Sequence, residues 1–270
     1  MFKKITLPII LTTLGFVANA QSSSPLLFDL EDETQLLTTL FDSETINPQG
    51  EILWEPSSFS DKLLVSASGD GFFHTQLDTI LYFSTFGINQ AVAVFATYNY
   101  QKKKINNCQS CGAQLSFATF GETVVGQWQI ERFAKHCTAL GSMGSNGDIS
   151  LRQFGENQWC LQLEMGWMGQ GNYSEHISFW DLDDFSQIFN FTSHEDNSGV
   201  LGLGPDRAYS FDRSLHFLNL ENAHTTAWWD FDVVSRGTQI SELEENTVPV
   251  NYVQRYTYDW ETGGYMKICH

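Results

Sequence analysis

Apolar residues fall at two spacings along this chain of 270 residues, and the change from one to the other divides it. Leu36, Leu37, Leu40 and Phe41 recur at helical spacing behind Glu31, Asp32 and Glu33, an acidic first turn leading into an apolar stripe. This predicts one short helix within residues 21–50, closed off by Asn47-Pro48-Gln49-Gly50. From Glu51 onward the runs have strand length. Residues 91–98 (AVAVFATY) are apolar at both parities, as a central strand buried on both faces requires. Further strand patterns follow at 115–120, 127–133, 149–154, 159–165, 176–182, 187–192, 215–220, 228–235, 252–258 and 265–268. In the run at 159–165, Trp159, Leu161, Leu163 and Met165 share one face, while Cys160, Gln162 and Glu164 share the other. The second face is polar, which predicts a Cys160 more accessible than a core cysteine.

Short turns, among them Gly155-Glu156-Asn157, Asp183-Asp184 and Gly263-Gly264, separate several neighbouring strands. The expectation is an all-β body: an antiparallel meander folded as a β-sandwich or as propeller-like stacked sheets, with one short N-terminal helix. Phe179 beside Trp180, and Trp229 beside Trp228, put large aromatics on both parities and favour stacked sheets. No fixed-period repeat accompanies them.

The first twenty residues change the compartment. Lys3 and Lys4 precede the apolar run 5–17, and Ala18-Asn19-Ala20 offers the small residues of a signal-peptidase site. Residues 1–20 therefore read as a signal peptide cut before Gln21, followed by a helical segment at 21–50 and a β-rich domain at 51–270. The expected location is periplasmic or secreted. No stretch is long enough to span a membrane once the leader is removed.

Composition adds mainly exclusions. The chain carries 32 Asp and Glu against 14 Lys and Arg, a net charge of −18, and losing Lys3 and Lys4 with the leader takes it to −20. Such a body repels phosphate backbones and anionic membrane surfaces, which argues against nucleic acid as a partner; among partners a cationic protein or peptide is favoured, and the plainer reading of the charge is solubility alone. Lys102-Lys103-Lys104 reads as a solvated loop tip.

Candidate chemistry is sparse. Cys108-Gln109-Ser110-Cys111-Gly112 precedes a strand rather than a helix that would stabilise a thiolate, and lacks the second ligand pair of a zinc site. In an exported protein it reads as a local disulfide between Cys108 and Cys111. Of the remaining cysteines, Cys137 and Cys160 are one candidate pair, and sequence leaves their connectivity open. Asp181-Leu182-Asp183-Asp184 lacks the glycine and distal glutamate of a calcium loop and reads as an acidic hairpin turn. The loop at 141–147 has no nucleophile-elbow frame, and His194-Glu195-Asp196-Asn197 is a polar loop. No metal set and no cofactor motif stands out. Trp180 and Trp228, with Asp230 and Asp232 beside the latter, form a candidate aromatic–carboxylate strip of the kind that sugars or basic peptides use; the other reading, which the usual burial of large aromatics favours, has both rings covered by a neighbouring sheet.

The order AVAVFATY, CQSCG, a strand around Trp128, Gly141-Ser142-x-Gly144, MGWMGQG, DNSG at 196–199 and WWDFDVVSRGT resembles exported bacterial proteins of no known activity built from β-meanders. The resemblance implies a fold and a compartment and carries no catalytic residue across. Two functions fit these observations. One is an acidic, non-enzymatic binding protein such as an inhibitor or immunity factor for a cationic enzyme or toxin. The other is an extracytoplasmic hydrolase or sugar-binding module using acids such as Asp181, Asp183, Asp230 or Asp232.

Overall fold

The computed structural model describes residues 26–41, 52–54, 72–101, 104–105, 112–141, 147–204, 206–218, 228–241 and 247–268. The proposed leader and the Cys108–Cys111 motif lie outside the described residues. Strands occupy 72% of what is described, and the helix expected near Leu36 is the single one there. The protein is all-β and antiparallel.

The first sheet has seven strands: β1 (Leu27–Phe28), β2 (Ile52–Trp54), β3 (Phe72–Thr85), β4 (Ile88–Gln101), β5 (Lys104–Ile105), β6 (Ala113–Val124) and β7 (Gln127–Leu140). They run in the order β1-β7-β6-β4-β3-β2, and β5 pairs with β4. Every residue from Ala91 to Tyr98 is buried, because both faces of β4 are covered. Ala91, Ala93 and Phe95 face α1 (Glu33–Phe41), whose Leu36, Leu37 and Phe41 complete that side of the core. Asp32 caps the helix by accepting the Gln35 backbone N–H at 2.9 Å. Glu33 fastens it to β3 by accepting the Leu77 N–H at 3.1 Å.

Val92, Val94 and Ala96 point the other way, onto the second sheet. Its eight strands follow chain order: β8 (Asp148–Gly155), β9 (Gln158–Gly169), β10 (Asn172–Asp181), β11 (Gln187–Asp196), β12 (Ser210–Phe217), β13 (Phe231–Ile240), β14 (Thr247–Asp259) and β15 (Gly264–Lys267). The sheet curls into a half-barrel. Phe154 on one edge strand lies 5.7 Å, ring to ring, from Tyr265 on the other, and its carbonyl accepts the Trp229 N–H at 2.7 Å. Phe179, Phe189 and Phe231 fill the concave side. The convex side presents Leu161, Leu163 and Trp180 to the first sheet.

This layering corrects two expectations, on Cys160 and on the segment at His194, and answers one open question, the pairing of Cys137 with Cys160. Cys160 is fully buried (0% exposed), because its face of β9 turns into the aromatic filling of the half-barrel. Cys137 and Cys160 are both free thiols, so they do not pair. His194, Glu195 and Asp196 close strand β11 instead of forming a loop, and His194 Nδ1 lies 2.7 Å from Asp212. Of the basic run, Lys104 pairs with Gln101, and Lys102 and Lys103 lie outside the described residues.

Candidate functional site

Following β4 from Tyr98 toward its start, the apolar core between the sheets gives way to Gln90 and the sheets part into a cleft of about 280 Å³. The first sheet contributes Phe83, Thr85, Phe86, Gln90, Thr119, Glu131 and Arg132. The second contributes Asn157, Gln158, Trp159, Asp181, Leu182 and Asp183.

Local structure explains how each group reaches this mouth. Regular alternation would send Glu131 and Arg132 to opposite faces of β7. Thr119 pairs with Arg132 but Phe120 pairs with Ile130, so Glu131 is the extra residue of a bulge, and both side chains line the cleft. Gly121 leaves room for the Glu131 carboxylate: a Cβ there would stand 2.6 Å from Oε1. The other oxygen, Oε2, accepts a bond from Gln90 Nε2 at 3.3 Å.

The acidic turn after β10 is fixed from both sides. Leu182 and Phe185 are buried in the core between the sheets. Asp181 Oδ1 accepts the Asp183 N–H and Asp184 Oδ1 accepts the Ser186 N–H, each at 2.8 Å. This is the hairpin turn read from the sequence, its carboxylates capping its own backbone. Burial pushes the Asp181 carboxyl up to about 6, and the neighbouring Asp183 and Asp184 charges add to the rise. The Asp183 N–H and the more distant Arg132 oppose it.

Aromatic rings form the remaining wall. Trp159 donates its indole N–H to the Ser84 carbonyl at 3.2 Å and lies 6.1 Å from the Phe83 ring, tilted by 47°. Phe86 stands at the lip, 68% exposed, in a two-residue turn with Gly87 where both residues have positive φ (51° and 77°). Asparagine is the usual non-glycine residue in such a slot, so a phenylalanine there is strained. Its N–H is held by Asn157 Oδ1 at 2.9 Å, which ties this turn to the one between β8 and β9.

The sequence-predicted strip is not assembled. Trp180 is 9% exposed and packs on Phe117 between the sheets. Trp228 is 8% exposed and stacks on Tyr258 at 4.7 Å, in the half-barrel filling. Both rings are covered, Trp180 by the first sheet and Trp228 inside the half-barrel, as large aromatics usually are. Asp230 is exposed, and Asp232 accepts bonds from Arg255 at 2.9 and 3.2 Å. Of the acids named from sequence, Asp181 and Asp183 share the cleft and Asp230 and Asp232 do not. Glu131, Arg132, Phe83, Phe86 and Trp159 were not singled out, although Phe86-Gly87 in a hairpin turn was a legible signal.

Cys137 and Cys160 offer no nucleophile, since burial raises the first thiol to about 11 and the second well above its ordinary value. Among the described residues no group of three His, Cys, Asp or Glu side chains is placed to hold a metal ion, and no helix is long and apolar enough to cross a membrane. No family model, no curated protein and no solved structure matches this chain.

Proposed function

We propose that this is an exported, acidic, non-enzymatic binding protein that captures a cationic protein or peptide. The observation that carries the reading is the cleft between the sheets. It gathers Asp181, Asp183 and Glu131 around a single Arg132, and among the described residues Arg132 forms no ion pair with any of them. Uncompensated carboxylates at a mouth lined by low-dielectric rings focus negative potential, which draws in cations and orients them. The net charge, −18 for the full chain and −20 once Lys3 and Lys4 leave with the leader, extends that attraction beyond the cleft. A periplasmic or secreted location, reached through the leader at residues 1–20, is part of the same proposal.

Calorimetric titration tests it, using ten-residue peptides of alternating glycine with arginine, lysine or glutamate. The two cationic peptides are expected to bind, more weakly as salt rises, and the glutamate peptide is not. Binding of the acidic peptide, or of none, overturns the reading.

One observation favours a hydrolase instead. A carboxyl titrating near pH 6 beside a second carboxyl in a cleft suits a general acid for glycosyl transfer. Turnover of a polysaccharide panel, lost in Asp181→Asn, would establish that alternative. No turnover would leave the binding protein.

A further inference from the structure

We propose that the cleft is a socket for one guanidinium-bearing side chain, an arginine of the cationic partner, seated between the Trp159 and Phe83 rings and the Asp181 and Asp183 carboxylates. This rests on the reading above and names the group that the site takes.

Size comes first. At about 280 Å³ the cleft lies just below the usual range for small-molecule pockets, a size that one long side chain suits. Charge selects next. Asp181, Asp183 and Glu131 outnumber Arg132, so a neutral or anionic guest would leave at least two negative charges facing it without compensation. The rings then choose between cations. An ammonium is compact and strongly hydrated and sheds water reluctantly at a ring wall. A guanidinium is planar and weakly hydrated, stacks on aromatic faces and meets carboxylates two bonds at a time. The walls are also held in place: Trp159 is bonded to Ser84, and the acidic turn is anchored by buried Leu182 and Phe185. Exposed Phe86 at the lip lengthens the apolar wall, enough to cover the methylene stem of an entering arginine.

The socket is pH-dependent in a definite direction. Asp183 and Asp184 from its own turn, Glu131 and Arg132 from β7, Cys160 from β9 and Tyr258 from β14 are the titratable groups set around Asp181. Asp181 loses its proton only near pH 6, so a cation binds better above that pH than below it.

The experiment compares three peptides on the purified protein by calorimetry at pH 7.5: alternating glycine–arginine, the same with lysine, and the same with citrulline, which keeps the shape of arginine and drops its charge. The arginine peptide is expected to bind several-fold more tightly than the lysine peptide, and the citrulline peptide at least about tenfold more weakly than the arginine one. Asp183→Asn, a change at an exposed position, is expected to weaken the arginine peptide about tenfold and to narrow its lead over lysine. Asp212→Asn, on β12 outside the cleft, is expected to change neither by more than about twofold. The Trp159 indole N–H resonance, identified by its loss in Trp159→Phe, should shift on adding the arginine peptide. Equal affinities for arginine and lysine, equal effects of the two Asp→Asn changes, or an unmoved indole signal would overturn the socket while leaving the acidic binding protein in place. Failure of both cationic peptides to bind would overturn the two together.

Discussion

Burial keeps the proton on Asp181 up to about pH 6, so the folded protein holds that proton more tightly than the unfolded chain, where an aspartate titrates near 3.9. The sign follows from linkage: this contribution to stability is fully present below about pH 4 and is lost as the pH rises through about 6. Asp181→Asn keeps an oxygen to accept the Asp183 N–H and removes the charge. It is expected to be more stable than the native protein at pH 8 by on the order of 1–2 kcal/mol, the full shift being discounted because the group keeps contact with water. Below about pH 4 the difference should vanish, as urea unfolding at the two pH values would show. Phe86 gives a second case. Phe86→Asn supplies the residue that its positive φ favours and is expected to raise stability by about 0.5–1 kcal/mol in the same assay. It also removes the exposed ring from the lip, so arginine-peptide affinity should fall. A gain in stability with a loss of binding would mark Phe86 as a residue kept for contact at the expense of the turn.

At the scale of elements, one ring joins much of the curl of the second sheet. Phe154 touches Phe179, Phe217, Trp228, Phe231 and Tyr265, and so links β8 to four other strands and to the segment before β13. Phe154→Ala is expected to destabilise the protein by about 3–5 kcal/mol, the usual cost of deleting a fully buried phenylalanine, measured by chemical denaturation. The same curl explains what sequence reading reaches and where it stops. Alternation gives the face that a side chain takes, and Trp159, Leu161 and Leu163 do share one. It does not say whether a face meets water, a second sheet or the inside of a half-barrel, so Cys160 reads as accessible from its polar neighbours and is buried. Strand β3 escaped the pattern because a bulge between Leu77 and Thr79 reverses its parity midway. A bulge also delivers Glu131 to the cleft, and strict alternation gives no sign of it. Helix α1 was legible because acidic first turn and apolar stripe agree within a dozen residues.

Across the whole molecule, the cleft is a local concentration of a general excess of negative charge. Groups as distant in sequence as Phe83, Glu131, Trp159 and Asp181 meet there only because the two sheets pack face to face and open at one end. A field set by 32 acids against 14 bases should govern how fast a cation arrives, while the cleft governs how long it stays. Stopped-flow measurement of the association rate of the glycine–arginine peptide, from about 10 mM to about 300 mM salt, tests this most directly. The Debye length falls from about 30 Å at 10 mM to under 10 Å at the upper end. The rate is predicted to drop by about tenfold or more over that range, with a far smaller change in dissociation. An association rate indifferent to salt would contradict the account and reduce the charge of the chain to a matter of solubility.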